Sequence, residues 1–313
     1  MKKVLVLSYS QSGQTSRAVE SLIGTLDPSE FTVTVEQIRP SVPFPFPWKV
    51  GRFFGVFPEC VLGLPPGIET PSFAGNDRFD LIIFAWQVWF LAPSLPVQGF
   101  LRSEHARVLS GARVITLTVC RNMWHTASET MKRLVAGAGG RLIDNIVITD
   151  QGSPWAGFVT TPRWMLTGRR DRFLGVFPPA GVADEVIGAL ARFGRAINER
   201  RHLLDAEPAR PMLRGLGAVQ VERRYVIAEL VGRFTFPFWA RLIRAAGPPD
   251  GRARRFLTLL FVAWLVMAIL LVIPASILVS LLFYPLLKGP LRGYIDRLKA
   301  PSGIDCAEAE AAA

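Results

Sequence analysis

Apolar runs and amphipathic stretches alternate over the first two hundred residues of the chain. Residues 4–7 are uniformly apolar, as in a strand that is buried on both faces. Residues 15–26 then repeat apolar side chains at helical spacing, and residues 31–36 alternate apolar and polar positions as a strand does. Further strands are predicted at residues 79–85, 112–119 and 141–149. The alternation predicts an α/β domain with a doubly wound, five-stranded parallel sheet.

A second pattern occupies residues 256–287, where 32 consecutive residues carry no charge. A straight helix of that length would extend about 48 Å, beyond the roughly 30 Å of a hydrocarbon core. Pro274 lies near the middle of the segment, and basic residues flank both of its ends. The segment is predicted to lie in a membrane, either as a hairpin bent at Pro274 with both ends in the cytoplasm or as one long span.

The charge balance agrees with a membrane surface as partner. Lysine and arginine outnumber aspartate and glutamate by 36 to 25, which gives a formal net charge of +11. Many of the arginines surround the apolar segment, so anionic membrane lipid is the predicted partner, and no nucleic-acid-binding module is recognisable. The three cysteines have neither disulfide nor zinc-site spacing. We expect the inner (cytoplasmic) membrane, with the α/β domain facing the cytoplasm.

These patterns divide the chain into four predicted parts. The α/β domain spans residues 1–203, and a basic juxtamembrane connector with short helical pieces spans 204–255. The membrane segment spans 256–287, and a tail that is first basic and then acidic spans 288–313.

The first strand leads directly into a loop rich in hydroxyl groups. Ser10, Ser12 and Thr15 offer donors, Gly13 permits a close turn, and the first amides of the next helix point into the same space. Such a loop can hold a phosphate without a lysine. The candidate phosphate-binding residues are Ser10, Gln11, Ser12, Gly13, Gln14 and Thr15. A turn that only caps the helix is the alternative interpretation.

Two more loops follow buried strands and should meet the first. In open parallel sheets, ligands bind beyond the carboxyl ends of the strands, near the point where the strand order reverses. The second loop contributes Trp86, Gln87, Val88, Trp89 and Phe90, and the third contributes Cys120, Arg121, Asn122, Met123 and Trp124, followed by His125. The alternative for Trp86 and Trp89 is that they belong to the core.

An aromatic insertion separates the second and third strands. Residues 40–48 combine prolines with Phe44, Phe46 and Trp48, and further phenylalanines follow at 53, 54 and 57. The prolines disfavour a regular helix, whereas the aromatic rings require burial. The insertion is either a loop folded back on the sheet or an apolar wall beside a lipophilic substrate.

Five motifs carry a resemblance to a known family. They lie at residues 8–14, 45–48, 57–59, 86–96 and 120–124. The chain resembles flavodoxin-like FMN proteins and, more narrowly, the bacterial dialkylresorcinol condensing enzyme family. The resemblance covers roughly residues 1–200 and implies strand order 2-1-3-4-5 and FMN as cofactor. It also implies that the second and third loops border the flavin ring.

The resemblance further implies a membrane-anchored, FMN-dependent oxidoreductase. Its expected reaction oxidises or aromatises a lipophilic cyclic diketone that a ketosynthase partner produces. In that reaction Arg121 would stabilise negative charge on the reduced flavin, and His125 would act as a general acid or base unless it is only a cap or surface group. The alternatives are an NAD(P)H:quinone reductase and a non-catalytic, flavodoxin-like electron carrier or scaffold at the membrane.

Overall fold

Five parallel strands form the centre of the protein in a computed structural model that describes residues 1–282 and 284–303. A short antiparallel hairpin lies between the third and fourth of them. In chain order the strands are β1 Lys2–Ser8, β2 Phe31–Gln37, β3 Leu81–Trp86, β4 Val88–Trp89, β5 Ala92–Pro93, β6 Arg113–Cys120 and β7 Arg141–Thr149.

The main sheet has the order β2-β1-β3-β6-β7, and every pair in it is parallel. Counting only the five main strands, this is order 2-1-3-4-5, the doubly wound order of the flavodoxin-like fold. The predicted doubly wound, five-stranded parallel sheet and its strand order are therefore confirmed. The order reverses at β1 and β3, so the loops after these strands enclose a crevice at the carboxyl edge of the sheet.

Helices cover both faces of the sheet. They are α1 Gln14–Ile23, α2 Val50–Gly55, α3 Phe57–Leu62, α4 Leu95–Arg102, α5 His125–Gly137, α6 Pro154–Thr167, α7 Asp184–Gly188, α8 Ala191–Glu199, α9 Val226–Ala245, α10 Arg252–Leu282 and α11 Tyr284–Lys299. Strand β1 shows the two-sided burial: Val4 and Val6 contact the cluster under α1 and α8, whereas Leu5 and Leu7 contact the cluster under α4 and α5. Burial on both faces explains why the run is uniformly apolar.

The aromatic insertion contains two short helices, although its prolines predict irregular chain. Helices α2 and α3 each have six residues, and Pro58 occupies the first turn of α3, where its missing amide costs no hydrogen bond. Their phenylalanines pack against the β4–β5 hairpin. The insertion is therefore folded against the carboxyl edge of the sheet.

The predicted connector contains a long helix. Helix α9 has 20 residues and packs on α3 and α10 through Phe236, Trp239, Ala240 and Ile243. In the sequence, Arg233, Arg241 and Arg244 interrupt the apolar residues of this helix and obscure their helical repeat.

Helix α10 carries the apolar segment and continues through Pro274 without a break to Leu282. The chain therefore does not reverse at Pro274. Residues Arg252–Val272 are long and apolar enough to cross a membrane, and only 6% of an 18-residue window of this stretch is buried within the protein. Residue 283 of the predicted membrane segment and residues 304–313 of the predicted tail lie outside the described residues.

Both ends of the α10–α11 region are attached to the α/β domain. The Arg254 side chain, 4% exposed, donates to both Glu59 carboxylate oxygens on α3 at 2.7 and 2.9 Å. After α11, the Ser302 hydroxyl donates to the Asn145 carbonyl on β7 and accepts from the Asn145 amide, each at 2.9 Å. Helix α10 is thus fixed to the domain rather than joined to it by a free linker.

Candidate functional site

The loop between β1 and α1 presents a row of backbone amides. Gly13 precedes the helix with φ of 84°, in the left-handed region, and nothing lies within 4 Å of the Cβ that a larger residue would add there. The Ser10 hydroxyl accepts from the Ser16 amide at 3.3 Å. Among the described residues, the amides of residues 11–15 have no protein acceptor. Amides grouped in this way at the start of a helix form an anion-binding site.

Two side chains of this loop hold neighbouring segments. Gln14 makes two hydrogen bonds to the backbone of Val182, one from its amide nitrogen at 2.8 Å and one to its oxygen at 3.2 Å. The fully buried Thr15 hydroxyl accepts from the Gln87 side chain at 3.1 Å. The Thr15–Gln87 bond joins the first predicted loop to the second, and Ser12 remains directed at the adjoining cavity.

A cavity of about 190 Å³, the inner cavity, lies beyond the carboxyl ends of β1, β3 and β6. It brings residues of all three predicted loops together with the aromatic insertion and with α6. The predicted residues in its wall are Gln11, Ser12, Gln14, Gln87, Val88, Trp89, Phe90, Cys120 and Arg121. The added residues include Phe46 from the insertion and Trp164 and Met165 from α6.

A second cavity of about 350 Å³, the apolar cavity, adjoins the first. The two cavities share Phe53, Val88, Phe90, Cys120 and Arg121 in their walls. The far wall of the apolar cavity comes from α9 and α10, and includes Val231, Gly232, Phe236, Trp264, Leu265 and Ile269. Asn122 and Met123 of the third predicted loop also line it. No sequence signal had connected α9 or α10 to these loops.

A strained turn forms part of the wall between the cavities. Strands β4 and β5 are joined by Phe90 and Leu91, with φ of 49° and 59°. Two positive φ angles in a two-residue hairpin define a type I′ turn, which normally contains Asn-Gly. Met123, across the apolar cavity, also has a positive φ of 52°. Left-handed residues with large side chains persist only where the surroundings hold them, and they concentrate at functional sites.

Aromatic packing and a glycine hold this turn. The Phe90 ring centroid lies 4.8 Å from that of Phe53 and 5.3 Å from that of Phe57. Leu91 packs against Gly232 of α9 so closely that a Cβ there would approach Leu91 Cδ1 to 2.5 Å. Helix α9 therefore supports the turn directly.

Arg121 is the cationic group shared by both cavities. Its Cζ atom lies 4.6 Å from the centre of the Phe158 ring, a cation–π contact. Burial lowers the pKa of Arg121, and Asp150 acts in the opposite direction. Because a guanidinium keeps its proton in proteins, Arg121 brings a positive charge to the boundary of the two cavities, and Asp150 also lines the inner one.

Asn122 and Tyr225 add neutral polar groups beside Arg121. Both side chains line the apolar cavity. Burial raises the pKa of Tyr225, so its phenol stays protonated at neutral pH and can donate. Burial likewise raises the pKa of Cys120, so its thiol is protonated and is a poor nucleophile.

Six of the predicted site residues line neither cavity: Ser10, Gly13 and Thr15 of the first loop, and Trp86, Trp124 and His125. The side chains of Trp86 and Trp124 are 1% and 2% exposed and belong to the core. His125 is buried, with Nδ1 2.9 Å from Glu229 Oε2 on α9, and the other Glu229 oxygen accepts from the Thr126 amide at 2.5 Å. This position assigns His125 to the attachment of α9 rather than to the cavities.

Comparisons with known proteins give distant structural likenesses. No protein-family model matches the chain, and no curated protein matches it. Among solved structures, a flavoprotein in complex with FMN from Lactobacillus acidophilus NCFM is 18% identical, with 47% of this chain and 93% of that one covered and a TM-score of 0.39. A flavodoxin from the domain Archaea is 13% identical over 66% and 100% of the two chains, with a TM-score of 0.35.

A third structure, the WrbA-like flavodoxin from Agrobacterium tumefaciens, is 15% identical over 64% and 99%, with a TM-score of 0.34. Identities and TM-scores this low assign neither a ligand nor an activity to this chain. The fold assignment rests on its own strand order.

Proposed function

We propose that the chain is an FMN-dependent oxidoreductase that acts on a lipophilic ring compound at a membrane. The observation that carries this proposal is the position of the loop at residues 10–15. Its free amides adjoin the inner cavity, and that cavity shares a wall with the apolar cavity. The proposed phosphate site, ring site and apolar site are thus neighbours in space, one after another along the carboxyl edge of the sheet.

The residues present fit FMN. The amides of residues 11–15 would hold the phosphate, with the Ser12 hydroxyl as a further donor. Gln87, Val88, Phe90 and Cys120 would border the ring in the inner cavity. Bound FMN supplies a two-electron acceptor next to the substrate. Arg121 offers positive charge to a developing anion, and the hydrophobic wall of α6 and the insertion excludes water.

Within this proposal, the motif resemblance favours a cyclic diketone as substrate, which becomes aromatic by loss of a hydride and a proton. That reaction belongs to dialkylresorcinol-type lipid biosynthesis, with a ketosynthase as the partner that supplies the diketone. The apolar cavity and the neighbouring polar groups of Arg121, Asn122 and Tyr225 suit such a molecule. The exposed apolar surface of α10 and the net charge of +11 support a position at the inner membrane, with the catalytic domain in the cytoplasm.

The phosphate site is tested by comparing FMN with riboflavin, which lacks the phosphate. Both are titrated into the detergent-solubilised full chain, and binding is followed by quenching of flavin fluorescence. In the Ser12→Asp variant, a carboxylate beside the loop repels the phosphate, so FMN affinity should fall at least tenfold. Riboflavin affinity should change less than threefold, because riboflavin carries no charge.

Ser110→Asp is the matched control, because Ser110 is exposed near the amino edge of the sheet, just before β6. It should leave both affinities unchanged. Equal affinities for FMN and riboflavin in the unmodified chain would contradict the phosphate site, and absence of flavin binding would refute the proposal. Flavin binding without oxidation of any cyclic diketone or quinone would instead indicate an electron carrier.

A further inference from the structure

The apolar cavity has one polar end and one apolar end. Arg121, Asn122 and Tyr225 line it, and Arg121 also lines the inner cavity. The rest of its wall consists mainly of hydrophobic side chains from the insertion, the β4–β5 turn and the two long helices. These residues include Phe54, Phe90, Leu91, Val231, Trp264 and Ile269. A charged group at one end of an apolar space suits an amphiphile rather than a fully apolar molecule.

Helix α10 forms this wall with one face and is exposed on another. Trp264, Leu265 and Ile269 line the cavity. Met267, Leu270 and Leu271 on the same turns are 57 to 64% exposed. Large apolar side chains that are exposed along a helix of this length mark a surface for lipid. One helix therefore separates the cavity from the surface that would contact a bilayer.

We infer that the apolar cavity binds an alkyl tail of the proposed ring substrate, with the polar ring held at Arg121, Asn122 and Tyr225. This inference rests on the proposed function, because it makes the cavity the tail site of that substrate. The occupant follows from three observations together: the shared wall with the inner cavity, the cation at one end and the apolar helix at the other. The cavity volume of about 350 Å³ lies within the usual range of small-molecule sites.

Tail burial predicts a dependence on chain length. Each methylene that leaves water for an apolar site should raise affinity about fourfold, and the gain should stop when the cavity is full. In a series of 4-n-alkylphenols from methyl to decyl, affinity should therefore rise and then level off. The phenol head provides the hydroxyl that Arg121, Asn122 and Tyr225 would recognise.

The site is mapped with a 4-alkylphenol that carries a diazirine near the end of its tail. The full chain in phospholipid nanodiscs is photolabelled, and labelled peptides are identified by mass spectrometry. Labelling at Phe90, Leu91 and Val231 should saturate with probe concentration. Excess 4-decylphenol should reduce it at least fivefold, whereas phenol should not. Labelling of the lipid-facing residues of α10 should rise linearly and resist competition.

Two variants with the same substitution on one helix complete the test. Ala268 lines the cavity, so Ala268→Phe should abolish the saturable labelling. Ala263 is exposed and absent from the cavity wall, so Ala263→Phe should leave that labelling unchanged. Equal behaviour of the two variants, or labelling at the turn that does not saturate, would overturn the inference.

Flavin absorbance, measured on the same samples, separates this inference from the proposed function. Flavin bound without saturable tail labelling refutes the tail site and leaves the FMN proposal intact. Saturable labelling without flavin refutes the FMN proposal and shows an amphiphile site of another kind.

Discussion

Replacing Leu91 in the β4–β5 turn by glycine and by alanine separates backbone strain from side-chain packing. Both variants remove nearly all the contacts of the leucine, so the loss of packing is similar in each. They differ in the cost of the left-handed backbone, because alanine retains a Cβ at φ of 59° and glycine does not. That cost is about 1 to 2 kcal/mol for a residue with a Cβ.

We therefore expect the Leu91→Gly variant to be more stable than Leu91→Ala by about 1 kcal/mol. At ordinary positions the order is the opposite. Leu134, in the interior of α5 and also partly buried, is the matched control. There glycine should be less stable than alanine by about 1 kcal/mol because of helix propensity. The two positions should differ in sign and by about 2 kcal/mol in total.

The assay is urea unfolding of the detergent-solubilised chain at 25 °C, followed by far-ultraviolet circular dichroism. The free energies of unfolding are compared only between variants whose free energy of unfolding falls with urea concentration at the same slope. A changed slope would indicate a changed denatured state. If Leu91→Ala is as stable as Leu91→Gly or more stable, the proposed strain of the type I′ turn is refuted. The same result at both leucines would show that the turn holds its residues without strain.

Two further predictions concern buried carboxylates. Burial raises the pKa of Asp144 from 3.8 to about 6, so its contribution to stability is fully present below pH 4 and is lost as pH rises through 6. In urea unfolding, Asp144→Asn should remove this pH dependence and be more stable than the unmodified chain at pH 7 by up to about 3 kcal/mol. The stabilities of the two proteins should converge near pH 4. A stability difference that does not change with pH would contradict the argument. Glu229→Ala leaves the buried His125 and the Thr126 amide without their oxygen partners and should cost about 3 kcal/mol in thermal or urea unfolding. Glu129→Ala, which breaks a partly exposed pair with Lys132, should cost below about 1 kcal/mol in the same assay. Equal losses would show that α9 does not depend on the buried pair.

The strands and the loops that follow them were predictable because their signals are local. Four consecutive apolar residues at 4–7 can only be buried on both sides, and the small residues around Gly13 follow at once. Parallel pairing then requires the loops after β1, β3 and β6 to meet at one edge. The inner cavity therefore draws on all three predicted loops.

The role of α9 was not predictable from local pattern. The helix contacts an aromatic insertion almost two hundred residues earlier in the chain, as in the edge-to-face contact of Phe236 with Phe57 at 5.4 Å between ring centroids. The arginines between its apolar positions resemble a solvated connector when read alone. Gln14 is a similar case, because its partner Val182 is 168 residues away. Its side chain looks like a phosphate ligand in the sequence and acts as a clamp in the fold.

The attachment of Ser302 to Asn145 also determines where the chain can be cut. Strand β7 is an outer strand of the sheet, and unpaired outer strands promote aggregation between molecules. Ser302 satisfies the free backbone groups of Asn145, and the Ala218 carbonyl accepts from the Val147 amide. Residues far beyond position 203 thus close the open border of the sheet. A fragment ending there would lose its protective cover, so the α/β unit is best produced as part of the whole chain.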